Sequence, residues 1–153
     1  DAVEEFRSYI NGVNDLGEDA FIQKVAIDMK LPLGEITEEF ITELSLLEPF
    51  GKGNAKPVFA ESDFCVLNGR ILGKNQNVLK LQVADQKGTR MEAMYFGDIG
   101  RFLEYTGKKG GGLTREDILT GKAGHITMSF TFYPDINIYM GRKNIQIVIQ
   151  NYQ

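Results

Sequence analysis

Basic and aromatic side chains are the residue types in this chain that could do chemistry. Lys and Arg neutralise phosphate groups, and Phe and Tyr rings can stack on nucleic-acid bases. The basic candidates, in or beside strand-like segments, are Arg70, Lys74, Lys80, Arg90, Arg142 and Lys143. The aromatic candidates are Phe64, Tyr95, Tyr133 and Tyr139. The alternatives are a merely solvated basic surface and aromatic rings buried in the core.

Other kinds of site are not supported by the residue spacing. The glycines of 51–54 resemble part of a phosphate-binding loop, but no Lys-Ser or Lys-Thr pair follows them, and Pro57 stands where a helix would open. The single histidine, His125, the single cysteine, Cys65, and the scattered acids give no metal-ligand spacing and no nucleophile–base pair. The sequence therefore predicts no catalytic residue, no metal site and no cofactor in this chain.

Composition and charge bound the class of protein. The 153 residues are 42% hydrophobic and 25% charged, which is ordinary for a soluble globular domain. No apolar run has the length of a membrane span, and one cysteine excludes an internal disulfide, which fits a cytoplasmic location. The net charge of −4 hides a balance of −9 over residues 1–48 and +5 over 49–153. This asymmetry favours a nucleic-acid partner for the basic part.

The first 48 residues are predicted to be helical. Apolar residues recur at helical spacing over 2–13 and again over 40–47. Thr37 is the predicted N-cap of the second helix, which must end at Pro49. The chain begins at Asp1, without Met, inside a helical pattern, so we expect it to be a piece of a longer protein.

Strand patterns dominate residues 60–153. In the first strand, Cys65, Leu67 and Ile71 are expected to face inward, whereas the inward side of the third strand cannot be assigned. The strands are predicted at 64–72, 78–84, 89–96, 126–140 with an interruption at Pro134, and 145–149. A helix with Asp98 as its cap is predicted at 98–105 between the third and fourth strands, and Thr114 and Asp117 are spaced as a capping box variant for one helical turn over 114–119. This order matches the five-stranded OB-fold barrel, and a generic antiparallel sheet with one helix is the less specific alternative.

The predicted barrel would bring the six basic residues to one surface. OB-folds bind single strands across strands two and three, between the loop joining strands one and two and the loop joining strands four and five. Lys80 and Arg90 fall on the two strands, and Arg70 lies at the end of strand one. Lys74 is expected in the first of these loops, and Arg142 and Lys143 in the second.

The segment 49–59 is predicted to be a rigid elbow between the helical and strand-rich parts. Its structure-breaking residues are Pro49, Gly51, Gly53, Asn54 and Pro57. Apolar residues flank them, which is typical of a packed connection rather than a flexible linker.

The same segment carries a resemblance to a known family. LEPFGKGNAKPVF, at 47–59, resembles the Leu-Glu-Pro-Phe-Gly-x-Gly-Asn-Pro-x-Pro-x-Phe signature of the RecJ family of bacterial single-stranded-DNA-specific exonucleases. The resemblance continues in NVLKLQVADQKGTRMEAMYFG, INIYMGRKNIQIVIQNY and, upstream, AIDMKLPLGEIT. Ala55 departs from the signature proline, and the connection over 107–124 is longer than usual. The Asp-His-His motifs of that family's catalytic core, which bind manganese or magnesium, are absent from this sequence.

This resemblance implies an OB domain from the C-terminal part of a 5′-to-3′ single-stranded-DNA exonuclease acting in recombination and repair. Residues 1–48 would be the tail of the preceding subdomain of its catalytic core. The implied partners are single-stranded DNA, the catalytic core of the parent protein and single-strand-binding protein; no membrane is implied. Mn or Mg would be a cofactor of the catalytic core, not of this chain. The alternative function is a structural or protein-interaction module that docks without touching DNA.

Overall fold

The computed structural model describes residues 24–122 and 126–153. The helix predicted over 2–13 and His125 lie outside these residues. The strands are β1 (Met29–Lys30), β2 (Phe59–Leu72), β3 (Val78–Ala84), β4 (Arg90–Tyr95), β5 (Thr127–Tyr139) and β6 (Arg142–Tyr152). The helices are α1 (Glu38–Ser45), α2 (Ile99–Lys109) and α3 (Arg115–Leu119), with a short 3-10 helix at Leu33–Glu35.

Five of the strands close into a barrel. The order is β2-β3-β4-β6-β5, and β5 pairs back to β2, so the sheet closes on itself. All neighbouring pairs are antiparallel except β4 and β6, which run parallel. The helices α2 and α3 stand between the third and fourth barrel strands. This is the predicted OB topology, and the expected fold class is confirmed.

The core follows from alternation along the strands. Leu79, Leu81 and Val83 of β3 are fully buried, as their period of two predicts. Strand β4 turns Ala93 and Tyr95 inward, which settles the face that the sequence left open. Helix α2 inserts a fully buried ring, Phe102, whose centroid lies 4.6 Å from that of Tyr152. Burying such a ring contributes roughly 1.5–3 kcal/mol.

The faces predicted for the first barrel strand are right at its end, where Ile71 packs against the core and Arg70 is exposed, but wrong at Cys65. Strand β2 begins at Phe59 rather than 64, and its register with β3 shifts between Val66 and Asn68. A bulge of this kind moves later side chains to the other face of the sheet. Before the bulge, Phe64 and Val66 are fully buried and Cys65 is only half-buried, so the alternation there is opposite to the one that Ile71 follows after the bulge.

The hairpin between β5 and β6 also differs from the prediction. Its turn is the two-residue Met140–Gly141, with φ of 49° and 75°, rather than 141–144. Positive φ at both positions is the signature of a type I′ turn, which suits the twist of the flanking strands. Strand β5 runs through Pro134 without a break and continues past the barrel. Ile138 and Met140, where the predicted apolar alternation resumes after Pro134, are consequently 64% and 86% exposed.

The three predicted helix caps, at Thr37, Asp98 and Thr114, are confirmed. Thr37 Oγ1 accepts a hydrogen bond of 3.1 Å from the Phe40 amide at the start of α1. Thr114 and Asp117 form a reciprocal capping box at the start of α3. Helix α2 is longer than predicted, since it continues to Lys109. The segment after α2 packs closely against Gly107, so that a Cβ at this position would lie 2.4 Å from the Leu113 carbonyl oxygen.

Candidate nucleic-acid interface

Arg70 and Lys80 are direct cross-strand neighbours on β2 and β3. Both project from the outer face, defined here as the solvent-facing side of β2, β3 and β4. They lie on a shallow groove of about 150 Å³, whose other lining residues are Asn68, Leu72, Leu81, Gln82 and Glu92. Arg70 is exposed and makes no ion pair within the described residues, so its guanidinium is available to an anion. Arg70 and Lys80 are called the basic pair below.

Glu92 limits the positive charge of this groove. Its Oε1 atom lies 2.7 Å from Lys80 Nζ, and the two side chains are only 22% and 31% exposed. Its Oε2 atom is buried and has no hydrogen-bond partner among the described residues. A buried carboxylate oxygen without a donor is unfavourable, and such atoms are uncommon in folded proteins. The sequence reasoning missed Glu92, because the face of β4 was not assigned.

A row of polar side chains crosses the whole sheet at the level of Glu92. The cross-strand registers make neighbours of Asn68 and Gln82, Gln82 and Glu92, Glu92 and Gln146, and Gln146 and Asp135. These five residues are called the polar row. Gln146 is buried and donates from Nε2 to Asp135 Oδ2 over 3.2 Å. Alternation in β3 predicts that Gln82 points outward. The sequence does not reveal the cross-strand registers that place the five residues of the polar row next to one another.

The remaining cations extend along the strands rather than clustering with the basic pair. Lys80 is level with Met94, and Arg90 begins β4 four residues away, which is about 13 Å at the rise of a strand. Lys74 is exposed in the turn between β2 and β3, where the Gln76 amide donates to the Gly73 carbonyl. Lys74 and Arg90 thus stand on either side of the basic pair along the strand direction.

Arg142 and Lys143 lie on β6 and not in a loop, which corrects the prediction. Arg142 pairs with Tyr139 next to the two-residue turn and is exposed. Lys143 projects to the opposite face of β6 from Arg142 and forms an ion pair with Glu38 of α1. It is therefore directed away from the other five cations and is partly neutralised.

Two of the predicted stacking residues are in the core. Phe64 is fully buried, and its ring stacks on Phe130 with centroids 5.2 Å apart. Tyr95 is 9% exposed and packs on Phe102, and its burial raises the pKa of its phenol above the ordinary value. Neither ring is available to a base. Tyr139, which is 66% exposed at the hairpin, is available.

Tyr133 is buried as well, and it anchors the elbow to the barrel. Phe50 meets its ring edge-on with centroids 6.1 Å apart, and Lys56 Nζ lies 3.8 Å from the ring centroid. Burial raises the pKa of the Tyr133 phenol, and the carboxylates of Glu48 and Asp135 raise that pKa further. The cation–π contact of Lys56 was not foreseen from the sequence.

The elbow residues form a closed turn. Gly51 and Asn54 exchange two backbone hydrogen bonds of 2.8 and 3.1 Å. The Asn54 side chain donates to the carbonyls of Leu47 and Pro49, over 2.7 and 3.0 Å. Gly53 has a φ of 85°, whereas Gly51 is not in the left-handed region. Pro57 is half-buried and leads into β2.

The described residues were also compared with the requirements of a metal site and of a membrane span. Across 24–122 and 126–153, no three His, Cys, Asp or Glu side chains come together as a metal site would need. In the same part of the chain, no helix has the length and apolarity to cross a membrane.

Comparison with known proteins identifies the family. A family model described as the RecJ OB domain matches residues 27–151. The chain belongs to the RecJ OB-domain family. A curated relative, the single-stranded-DNA-specific exonuclease RecJ of Bacillus subtilis, is 30% identical over 86 residues. That alignment covers 55% of this chain and 11% of the relative, so the chain spans about a tenth of that protein.

Two solved structures share the fold. RecJ from Thermus thermophilus in complex with Mg²⁺ superposes with a TM-score of 0.59 at 19% identity, covering 98% of this chain and 20% of the RecJ chain. The Mn²⁺ complex of RecJ from the same organism gives a TM-score of 0.54 at 20% identity, covering 86% and 16%. In both, the RecJ OB-like part is a small share of a much longer chain.

Proposed function

We propose that this chain is the single-stranded-DNA-binding OB domain of a 5′-to-3′ single-strand-specific DNA exonuclease that acts in recombination and repair. The observation that carries the proposal is the basic pair, Arg70 and Lys80, side by side on a groove of the outer face. This face is the one across which OB-folds bind single strands. Membership of the RecJ OB-domain family supports the nuclease context.

The outer face suits a strand that runs along the barrel. Arg70, Lys80 and Arg90 would neutralise successive phosphates, and Lys74 would add a contact from its turn. Tyr139 would supply a stacking surface at the hairpin. Hydrolysis would take place in a separate Mn- or Mg-dependent core of a longer cytoplasmic protein, which single-strand-binding protein would supply with strands. The role of this chain would be to hold the strand.

A binding measurement on the 153-residue chain tests the proposal. A fluorescently labelled 15-nucleotide single strand is titrated with protein at low salt, and anisotropy gives the Kd. We expect Arg70→Ala with Lys80→Ala to raise the Kd about tenfold or more, because charge-assisted contacts to phosphate are strong hydrogen bonds.

The matched control is Arg101→Ala with Lys108→Ala on α2. It removes the same two residue types. Lys108 forms an ion pair with Glu104 of its own helix, as Lys80 does with Glu92 of the neighbouring strand. The control should bind like the wild type. Equal losses in the two double variants would show a non-specific charge effect, and no binding by the wild type would refute the proposal.

A second candidate function is docking onto another protein. Val25, Ile27 and Met29 are 38%, 51% and 47% exposed beside a groove of about 770 Å³ between residues 25–30 and the ends of β5 and β6. Exposed apolar side chains around a groove are typical of a protein contact. The occupant would be the catalytic core of the longer protein. Binding to that core by a variant that no longer binds DNA would separate the two functions.

A further inference from the structure

The buried oxygen of Glu92 is unexpected on a surface proposed to bind a polyanion. A carboxylate repels phosphates, and this one also neutralises Lys80 through Oε1. Its Oε2 atom has no donor among the described residues. Two amides stand next to it in the polar row, yet the Gln146 side chain donates to Asp135 instead, and the Gln82 side chain makes no hydrogen bond within the described part of the chain. Neighbouring side chains therefore leave an acceptor unsatisfied in a residue that lines the groove.

We propose that Glu92 accepts a hydrogen bond from the amino group of a base, so that the groove prefers cytosine to thymine. This inference rests on the proposed binding of single-stranded DNA by the outer face. Bases of a single strand expose their Watson–Crick edges. Cytosine presents an N4 amino donor there, and Glu is a natural acceptor for it. Thymine presents a carbonyl oxygen at the same ring position and flanks its only N–H with two carbonyls, which a carboxylate repels.

Lys80 is the group that would uncover the acceptor. Its ion pair with Glu92 is partly exposed, and such pairs are weak. Four rotatable bonds allow the ammonium to leave Glu92 for a phosphate, which would open the carboxylate to the groove. Lys80 and Arg70 would then hold the backbone while Glu92, with the Gln82 and Asn68 amides beside it, faces the base. The two cations would position the DNA backbone, and Glu92 would determine which base is preferred.

The test compares two oligonucleotides and three proteins. The probes are 15-nucleotide oligo-dC and oligo-dT, measured by anisotropy at pH 8 and low salt. The proteins are the wild type, Glu92→Gln and the control Glu104→Gln. Glu104 is also a lysine-paired glutamate, held to Lys108 over 2.6 Å on α2, and it does not line the groove. Melting temperatures of the three proteins establish that all are folded.

We expect the wild type and Glu104→Gln to bind oligo-dC about tenfold more tightly than oligo-dT, which is the size of one charge-assisted hydrogen bond. Glu92→Gln should bring this ratio close to one. It should bind oligo-dT more tightly than the wild type does, since a repulsive charge is gone and Lys80 is freed.

The outcomes separate this inference from the proposed function. Equal binding of both oligonucleotides by the wild type, or an unchanged ratio of the two affinities in Glu92→Gln, would refute recognition of cytosine by Glu92. DNA binding by the outer face would not be affected by that result. Failure of the wild type to bind either oligonucleotide would refute DNA binding and this inference with it.

Discussion

A surface cation that already forms an ion pair with a carboxylate of its own chain contributes less to binding an anionic ligand. Arg70 and Arg90 have no ion-pair partner among the described residues, whereas Lys80 and Lys143 face Glu92 and Glu38. Arginine also keeps its charge and offers a planar fork of donors. Arg70 and Arg90 are therefore the residues that should contribute most to phosphate binding.

The buried ring of Phe64 and the exposed ring of Tyr139 give opposite expectations for alanine variants. Phe64→Ala should lower the free energy of unfolding by about 3–5 kcal/mol, because it removes a fully buried ring that stacks on Phe130. Denaturant unfolding measures this loss. A change below about 1 kcal/mol would mean that the site collapses around the smaller side chain.

Tyr139→Ala should instead act on binding. A ring that is 66% exposed contributes little to the core, so stability should stay within about 0.5 kcal/mol. If the ring stacks on a base, the Kd for a single strand should rise about fivefold or more, since stacking contributes roughly 1–3 kcal/mol per base. An unchanged Kd with an unchanged melting temperature would exclude Tyr139 as a stacking platform.

At the residue scale, sequence reasoning located the basic pair but not the acids around it. Charge type and alternation are local properties, so Lys80 could be placed on an outward position of its strand and Arg90 at the start of the next strand. The ion pair between Lys80 and Glu92 depends on the β3–β4 register, and that between Lys143 and Glu38 joins residues 105 apart. Pairings of that kind are decided by the closed barrel, and a period of two cannot reveal them.

Moving to the elements, the elbow depends on one glycine rather than two. Gly53→Val should lower stability by roughly 1–3 kcal/mol, because a β-branched residue is strained at a φ of 85°. Gly51→Val should be nearly neutral, since its φ is not in the left-handed region and a Cβ there meets no atom within 4 Å. Thermal unfolding of the two variants checks this. Equal melting temperatures for both variants would contradict the expected conformation of the turn.

The capping box of α3 makes a pH-dependent prediction. Hydrogen bonds from the Thr114 hydroxyl and amide, followed by Lys122, lower the pKa of Asp117 from 3.8. A lowered pKa in the folded state means that the carboxylate stabilises above its unfolded pKa and that this stabilisation is lost as the pH falls through the folded pKa. Thr114→Ala should therefore lower the melting temperature at pH 7 by about 2–4 °C.

The melting-temperature difference between wild type and Thr114→Ala should shrink below pH 3.8 without vanishing. It persists in part because the Thr114 hydroxyl still accepts from the Asp117 amide over 3.2 Å when the acid is protonated. Circular dichroism melts at pH 7 and pH 3 measure the difference. A difference that grows toward acid would reverse the sign of the expected coupling.

The helix caps and the faces of β3 were predictable because each is set by a few neighbouring residues. Thr37, Asp98 and Thr114 cap the helices that their positions indicated. The errors fall where tertiary structure overrides the local pattern. The bulge after Val66 shifts the alternation of β2, so one period of two does not describe the whole strand and Cys65 was misplaced. The hairpin at Met140 projects past the barrel, so an alternating apolar segment ends in solvent.

On the scale of the whole molecule, the distribution of charge matters more than its sum. The net charge is −4, yet a strip of cations runs along the outer face from Lys74 through the basic pair to Arg90. The acids are concentrated in residues 1–48, which carry a balance of −9. An acidic molecule with a basic strip should bind a polyanion in one orientation and should lose that binding as salt screens the contacts.

The salt dependence of binding measures how many phosphates that strip neutralises. For single strands, log K falls with log salt by about 0.7 per neutralised phosphate, so contacts by Arg70, Lys80 and Arg90, with or without Lys74, predict a slope of about −2 to −3. Removing the basic pair should reduce the magnitude of that slope by about 1.4.

Anisotropy titrations between about 20 and 200 mM salt, a range over which the screening length changes severalfold, give the slope. The control is Lys108→Ala on α2, which removes one lysine outside the strip and should leave the slope unchanged. A slope near zero for the wild type would mean that the bound strand does not contact the cations. An unchanged slope in the variant that lacks Arg70 and Lys80 would mean that the phosphates contact another face of the barrel.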